Sequence, residues 1–549
     1  MQLLIKHKIL FLLLFFTFVG SFFRFYNLTW SAPYYFHPDE RNIASSVSQL
    51  HFPNLNPHFF AYGSLPIYAI YKTGVINNLL THAPDPYAVQ FEQAILISRI
   101  YSALFSVLLI PLLFVLGKNI KNTRTGFLAA LFATLSVGLM QFAHFGTFEL
   151  WLTFFTTVLF LLCNKLLSKP QLQTFILTSV VLGLLIATKV SSLALLPLPL
   201  VALVVGYKNT KHHLSFRLVI FFFLHMLLLL CLVAFIFFIT NPYVLFDFPA
   251  FKGAFHYEST VALGTQLVFY TGEFFNTIPI LFQFAHVYPF LINPVLTLLL
   301  VPSVFFTIYR CIKTKNTTLV LLVLFFCVTF FSQSVLFVKW TRYIIPTLPF
   351  VYLILAYSMT DVFDRLSVKK KTQAILTTCL FGICAIFAFS YVKTALLSVD
   401  SRIQAAQWAK QNVLPHEHVV SEVYDLGITA FHETIPPSSI ELINFYDLDA
   451  RKNPLSKTAV EEQLNKSNYL ILPSQRIFKP RLLHETLFPK GNKFYTDLFS
   501  EKLGYEKIYQ TPCDLFCTIL YLGDPVWRFE QTANVFDRPT IFIFQQTRS

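Results

Sequence analysis

Charge is what this chain has least of. Asp, Glu, Lys and Arg make up 13% of its 549 residues, against 55% hydrophobic residues and 63 Phe. So little charge excludes an ordinary soluble domain and leaves a polytopic membrane protein. A phosphate-binding Gly-rich loop and a nucleophile elbow are both missing, which removes P-loop and α/β-hydrolase chemistry. No internal repeat or low-complexity tract is present. Of eight cysteines, only Cys513 and Cys517 lie outside the apolar region. Their spacing suits a local disulfide, and with no second pair nearby a zinc site is not indicated. The net charge of +14 gathers in short loops. With no basic face carrying interleaved stacking aromatics, nothing points to nucleic acid.

What is present is a series of apolar runs. About 20 apolar residues cross a bilayer as a helix, and about eleven segments approach that length: 9–23, 95–116, 125–140, 148–163, 172–188, 190–206, 217–240, 290–309, 317–338, 343–360 and 373–397. No small-residue cleavage site follows the first, so it reads as an uncleaved anchor. Lys and Arg fall in alternate loops: Lys6 and Lys8; Lys118, Lys121 and Arg124; Lys165 and Lys169; Lys208, Lys211 and Arg217; Arg310, Lys313 and Lys315; Arg365 with Lys369, Lys370 and Lys371. Cytoplasmic loops retain such residues, which predicts a cytoplasmic N-terminus. The segments 24–94, 141–147 and 241–289, with everything after about 398, then lie on the opposite side. The basic loops and the absence of an organellar targeting segment favour a prokaryotic plasma membrane.

The predicted fold is mainly α: a transmembrane helix bundle over 1–399, followed by an extracytoplasmic α/β domain over 400–549. The second part has ordinary polarity, turn signals such as Pro436-Pro437, and short apolar runs such as Tyr469–Leu472 and Thr540–Phe544. Arg402–Asn412 reads as a helix with Ile403, Ala406 and Trp408 on one buried side.

The most informative motif is His37-Pro38-Asp39-Glu40, in the long loop that follows the first span. Pro at the first helical position with acids in the first turn starts a helix, and Ile43, Val47 and Leu50 continue it along a membrane surface. Carboxylates held there also suit a general base. Ionisable groups at membrane depth are costly and need a reason. On the outer side these are Arg24, Arg99, His144, Glu149, Lys189, Lys339 and Arg342 with Tyr343. Arg24 and Arg99 suit snorkelling or structural pairing. Lys189, Lys339 and Arg342 stand where topology keeps cations rare, which indicates a bound anion. A carboxylate pair, a further acid and several cations above an apolar bundle suit a substrate with a phosphate head and a hydrocarbon tail, such as a lipid-phosphate sugar. The acceptor hydroxyl would then lose its proton to a carboxylate, and the phosphate leaving group would need cations more than a proton donor.

Arg24 to Leu28, His37-Pro38-Asp39-Glu40, Tyr62-Gly63-Ser64-Leu65-Pro66-Ile67-Tyr68 and Ser98-Arg99-Ile100-Tyr101-Ser102-Ala103 carry a resemblance to a known family, as do Gly126 to Ala130, His144 to Glu149, Ala187-Thr188-Lys189, Asn241-Pro242-Tyr243 and Arg342-Tyr343 with Pro346 and Pro349. Over residues 9–400 the chain resembles the GT-C membrane glycosyltransferases, in particular the family 39 group of protein O-mannosyltransferase-like and aminoarabinose-transferase-like enzymes. The resemblance implies an inverting transferase that moves a sugar from a polyprenyl-phosphate donor to an acceptor hydroxyl on protein, lipid or glycan. It implies Asp39 as base, with Glu40 and Glu149 in the catalytic set, although many relatives look to carry Asp at the Glu149 position. The expected substrate-binding set is His37, Tyr62, His144, Lys189, Lys339, Arg342 and Tyr343. Some relatives also carry a lysine and an acid near Pro66. Here that stretch has neither, which leaves the phosphate to Lys189, Lys339 or Arg342. No cofactor is expected to be required. His37, Asp39 and Glu40 are the candidate ligands for a divalent metal, but adjacent residues rarely converge on one ion. The competing class is a polytopic transporter or lipid flippase, which should show paired repeats and broken helices near the midplane rather than charges gathered at one surface.

Overall fold

The computed structural model describes residues 2–210, 216–423, 426–450 and 456–547. Among these, nine helices are long and apolar enough to cross a membrane: His7–Phe25, Phe91–Ile120, Glu149–Ser168, Val190–Asn209, Val219–Thr240, Pro294–Thr314, Thr317–Ser334, Thr341–Arg365 and Lys370–Leu397. The pair Thr123–Thr134 and Val137–His144 passes as a tenth span bent by 48°. The remaining expected run, Leu172–Thr188, forms an apolar helix of only 17 residues. The predicted eleven segments are therefore all helical, with one of them short and one broken. Counted in chain order with both included, they are called the first to the eleventh span.

Three of the basic loops meet at one end of the bundle. Lys121 Nζ pairs with Asp361 at 3.0 Å and Asp364 at 2.8 Å, and Arg310 and Arg365 both reach Asp361, at 2.9 and 2.8 Å. Three loops remote in sequence thus share one face, as their alternation predicts. Lys211 lies outside the described residues.

Arg24 explains how the broken third span is tolerated. A helix end leaves carbonyls without partners, and within a bilayer they must be satisfied by protein. The fully buried Arg24 donates to the Ala133 carbonyl at 2.6 Å and the Thr134 carbonyl at 3.3 Å, at the break, and to Ser106 Oγ at 2.7 Å. It does not snorkel, and it forms no ion pair among the described residues. Its charge faces the negative end of Thr123–Thr134, where a cation is favoured.

The chain from Ser401 onward folds on a five-stranded sheet of order β2-β1-β3-β5-β4. The strands are β1 Val419–Glu422, β2 Ile440–Ile443, β3 Tyr469–Leu472, β4 Tyr505–Gln510 and β5 Phe542–Gln546. β2, β1 and β3 are parallel, and β5 runs antiparallel to both β3 and β4. The helix Ser401–Asn412 buries Arg402, Ala405, Ala406 and Ala409, while Ile403 and Trp408 are only partly buried, so the buried stripe is rotated from the predicted one. Cys513 and Cys517 are disulfide-bonded.

This domain sits on the bundle face opposite the basic loops. Gln141 donates to Asp537 at 3.2 Å, Lys479 pairs with Glu273 at 2.6 Å, and Glu530 accepts from the Thr341 amide at 3.0 Å. Arg402 stacks on Phe36 at 4.0 Å.

Replacing Arg24 with Leu should strand the carbonyls at the break, each unsatisfied group costing about 1–3 kcal/mol. Thermal unfolding in detergent should show a lower midpoint for R24L than for an exposed control such as F11L.

Candidate active site

The helix Pro38–Ser48 begins as its sequence predicts. Pro38 takes the first position, His37 caps by accepting the Glu40 amide at 3.5 Å, and Asp39 and Glu40 occupy the first turn. Its apolar side, Ile43, Ala44 and Val47, packs against Ile67, Ile70 and Ile95 rather than lying on a lipid surface. Adjacent residues on a helix diverge by about 100°, and this angle separates the two acids.

Glu40 turns inward. Its fully buried carboxylate receives Arg99 Nε at 3.1 Å and Nη2 at 2.7 Å, and the Gly146 amide at 2.5 Å. Arg99 also donates to the Leu28 and Trp30 carbonyls, at 2.7 and 3.0 Å, and stacks on the Trp30 ring at 4.5 Å. A bidentate pair with this many partners ties the first loop to the second span. The expectation of a catalytic Glu40 is therefore corrected to a structural one, since both oxygens are occupied and buried.

Asp39 turns toward the tenth span. Its Oδ2 lies 2.5 Å from Arg342 Nη1, the two side chains being 22% and 18% exposed. Tyr62 Oη is 3.5 Å from the same Nη1, and Arg342 lies over the Trp340 ring at 4.4 Å. Tyr62 is held by a close approach of three segments. The Gly63 amide donates to the Thr188 carbonyl at 3.0 Å, and the Ser64 amide to Asn241 Oδ1 at 2.5 Å. A Cβ on Gly63 would run into the Ala187 carbonyl, which requires glycine there. The next residue after Thr188 is Lys189, whose Nζ lies 4.3 Å from the Tyr343 ring centroid and 5.1 Å from that of Phe148.

Lys189, Arg342 and Tyr343 line a cavity of about 520 Å³ together with Tyr62, Ser191, Gln333 and Glu258. Phe60, Phe237, Phe251, Phe255, Ala262 and Leu336 supply its apolar wall. A smaller hollow, sharing Lys189 and Arg342, adds Glu149, Phe148 and Ser192. Glu149 stands at the start of the fourth span and is buried, and its Oε2 finds no hydrogen-bond partner among the described residues. The same is true of Arg342 Nε.

Burial would raise the Asp39 carboxyl, but Arg342, His37, Arg476 and a hydrogen bond from Tyr62 outweigh it and hold it below the usual carboxylate range. Burial, with Asp39 beside it, pushes the Tyr62 phenol well up. Burial and the neighbouring Arg342 lower Lys189 to about 8. Burial raises Glu258.

Asp39, Tyr62, Glu149, Lys189, Arg342 and Tyr343 thus come together. Lys339 does not join them: its Nζ donates to the Phe337 carbonyl at 2.8 Å and lines neither hollow. His144 is also corrected, because both ring nitrogens lie 2.8 Å from backbone carbonyls, of Met140 and Tyr26, and pin the third span to the end of the first. His37 is a cap packed between Phe145 at 4.5 Å and Phe536 at 4.3 Å, so it supports Asp39 from behind rather than facing the cavity. Among the described residues, no three His, Cys, Asp or Glu side chains gather as a metal-ligand set. Two residues were missed. Glu258 sits in the outer segment 241–289, where an acid in the phenylalanine-rich run Phe248–Leu263 was the available signal. Arg476 acts on Asp39 from the C-terminal domain, and nothing local in the sequence marks it.

No protein-family profile and no curated protein matches the sequence. Solved structures do match. An oligosaccharyltransferase from Archaeoglobus fulgidus, determined with a tethered acceptor peptide, superposes with a TM-score of 0.51 at 13% identity, over 89% of this chain and 72% of its own. The chain has the GT-C fold. Two further similarities are weaker. The archaeal oligosaccharyltransferase AglB from the same organism, with an inhibitory peptide and dolichol-phosphate, gives 0.49 at 12% identity, covering 98% of this chain and 88% of that one. ArnT from Cupriavidus metallidurans, bound to undecaprenyl phosphate, gives 0.46 at 12%, over 85% and 92%. At such identities the likeness speaks to the GT-C fold alone.

Removing either member of the Glu40–Arg99 pair should cost about 3–5 kcal/mol, because it leaves the other charge buried and alone. E40A and R99A should each unfold at lower temperature in detergent, and the double variant should lose less than the sum of the two.

Proposed function

We propose that this protein is an inverting glycosyltransferase that moves a sugar from a polyprenyl-phosphate donor to an acceptor hydroxyl, on protein, lipid or glycan, at the extracytoplasmic face of a prokaryotic plasma membrane. The observation that carries the proposal is an apolar-walled cavity of about 520 Å³ lined by Lys189 and Arg342, with Asp39 paired to that arginine. Two cations and a hydrocarbon lining in one cavity match an anionic head on an isoprenoid tail.

In the proposed reaction Lys189 and Arg342 hold the donor phosphate, with Ser191 and Ser192 within the same hollow. The acceptor oxygen attacks the anomeric carbon and gives its proton to Asp39. The bond from that carbon to the phosphate oxygen breaks, its electron pair stays on the phosphate, and the two cations stabilise the charge that develops. One displacement inverts the anomeric centre. Asp39 is held ionised, the form a base requires. Glu149 is the second carboxylate of the site, and Tyr62 and Tyr343 frame the sugar. The donor brings its own leaving group, so the chemistry calls for no resident cofactor.

The test is to incubate purified protein in nanodiscs with a panel of radiolabelled polyprenyl-phosphate sugars and extracts of envelope acceptors. Loss of label from the lipid is expected for one donor, unchanged by EDTA, and D39N should reduce it by at least about a thousandfold while the protein remains folded. Full activity in D39N would remove Asp39 as the base.

The Lys189 shift gives a pH dependence. An amine lowered to about 8 is charged below that pH and neutral above it. Affinity for undecaprenyl phosphate should therefore weaken as pH rises from 7 to 9, and K189R should flatten the profile, because a guanidinium stays charged throughout.

A further inference from the structure

The reaction proposed above makes two anions compete for one arginine. Arg342 sits 2.5 Å from Asp39, and it also lines the cavity in which the donor phosphate would sit. While Arg342 holds Asp39, the carboxylate is screened from an acceptor proton. Once a phosphate draws Arg342 away, Asp39 loses its nearest counter-charge in a mostly buried place, and burial then favours its protonated form.

A further cation comes from the C-terminal domain. The parallel strands β2, β1 and β3 present their carboxyl ends as the edge where open α/β sheets bind ligands. The chain leaves β3 at Leu472, passes the buried Ser474 and Gln475, and reaches Arg476. The Arg476 guanidinium lies 5.7 Å from the Phe536 ring, and Phe536 packs 4.3 Å from His37, the cap of the Asp39 helix. It lies 5.5 Å from the Tyr270 ring, and Tyr270 packs 5.9 Å from Trp340, on which Arg342 stacks. Arg476 is therefore one ring from the support of Asp39 and two rings from Arg342, and it is absent from the cavity wall where Lys189 stands.

We propose that Arg476 is a positioning residue, delivered by the C-terminal domain, that keeps Asp39 ionised and in place when the donor phosphate draws Arg342 away. This rests on the transferase reading. It makes the C-terminal domain part of the active site. The charged and titratable groups that act on Asp39 are His37 behind it, Arg342 and Tyr343 from the tenth span, Tyr62 from the first loop, Glu149, Lys189 and Glu258 across the cavity, and Arg476. Of the cations, Arg342 and Lys189 line the cavity and would be engaged by the phosphate. Arg476 would remain.

The test reads the proton on Asp39 directly. A water-soluble carbodiimide modifies protonated carboxyls, so the extent of Asp39 labelling against pH, followed by peptide mass spectrometry, gives the pH of half-labelling. Full-length wild type, R476Q and R476K are compared in nanodiscs with and without undecaprenyl phosphate. With the lipid present, R476Q should half-label about one pH unit higher than wild type, and R476K should recover most of the difference. Without the lipid, Arg342 dominates and the shift should be smaller. An unlabelled Glu40 reports an intact fold in every sample. Equal half-labelling pH in lipid-loaded wild type and R476Q would overturn the role of Arg476. The titration needs no turnover: sugar transfer with an unshifted Asp39 sinks this proposal alone, whereas a shifted Asp39 without transfer from any donor sinks the transferase reading.

Discussion

A charge held at the depth of a membrane has to be paired or put to use, and this constraint sorts nearly every ionisable group in the bundle. Glu40 and Arg99 are fully paired with each other and with backbone. Arg24 is spent on the carbonyls of a broken helix. Lys121, Arg310 and Arg365 surround Asp361 at the opposite end. What is left stands around one cavity and is satisfied only in part: Glu149 Oε2 and Arg342 Nε have no hydrogen-bond partner among the described residues. Buried polar atoms left open usually mark a place where a ligand completes the set. Glu149 and Arg342 line one small hollow together, and Arg342 also lines the larger apolar cavity.

The same constraint shapes the way the two parts of the chain join. A soluble domain docked through apolar contact alone could slide across the bundle face. Here buried polar contacts fix its register: Lys479 on Glu273, Glu530 on the Thr341 amide, and Asp537 between Gln141 and Tyr391. Thr341 immediately precedes Arg342, and Phe536, which packs on His37, immediately precedes Asp537. The contacts that hold the domain are thus adjacent in sequence to the residues that hold Asp39 and its arginine, so movement of the domain would be felt in the site within one residue.

Much of this was legible in the sequence because membrane spans and charge asymmetry are strong one-dimensional signals. Every apolar run became a helix, and three of the basic loops gathered at one end. Lys189 and Arg342 stood out for the reason that made them useful, a cation where topology keeps cations rare. Direction was not legible. Asp39 and Glu40 are neighbours of like chemistry, and only a helical turn of about 100° decides which meets Arg342 and which meets Arg99. Lys339 and Arg342 differ by three residues, but Lys339 precedes the helix Thr341–Ile344 and falls back on its own chain at Phe337. His144 carried a plausible signal, yet two carbonyls lay within reach of its ring. Glu258 and Arg476 could not be found by local reading, because what brings them near Asp39 is the packing of an outer helix and of a separate domain.

The Asp39–Arg342 contact follows from this arrangement. A lone arginine in the cavity wall would carry an unpaired charge in the unloaded protein, at a cost of several kcal/mol, and a lone carboxylate would tend to protonate. Paired, each keeps the other ionised, so the resting site is stable because its two reactive charges neutralise each other. A phosphate can replace the carboxylate as the partner of Arg342 without leaving that arginine bare, whereas the carboxylate needs another cation to take its place. A cation added inside the bundle would compete for the same phosphate. One carried on a domain outside the cavity would not, and the carboxyl end of β3 is where this chain has one.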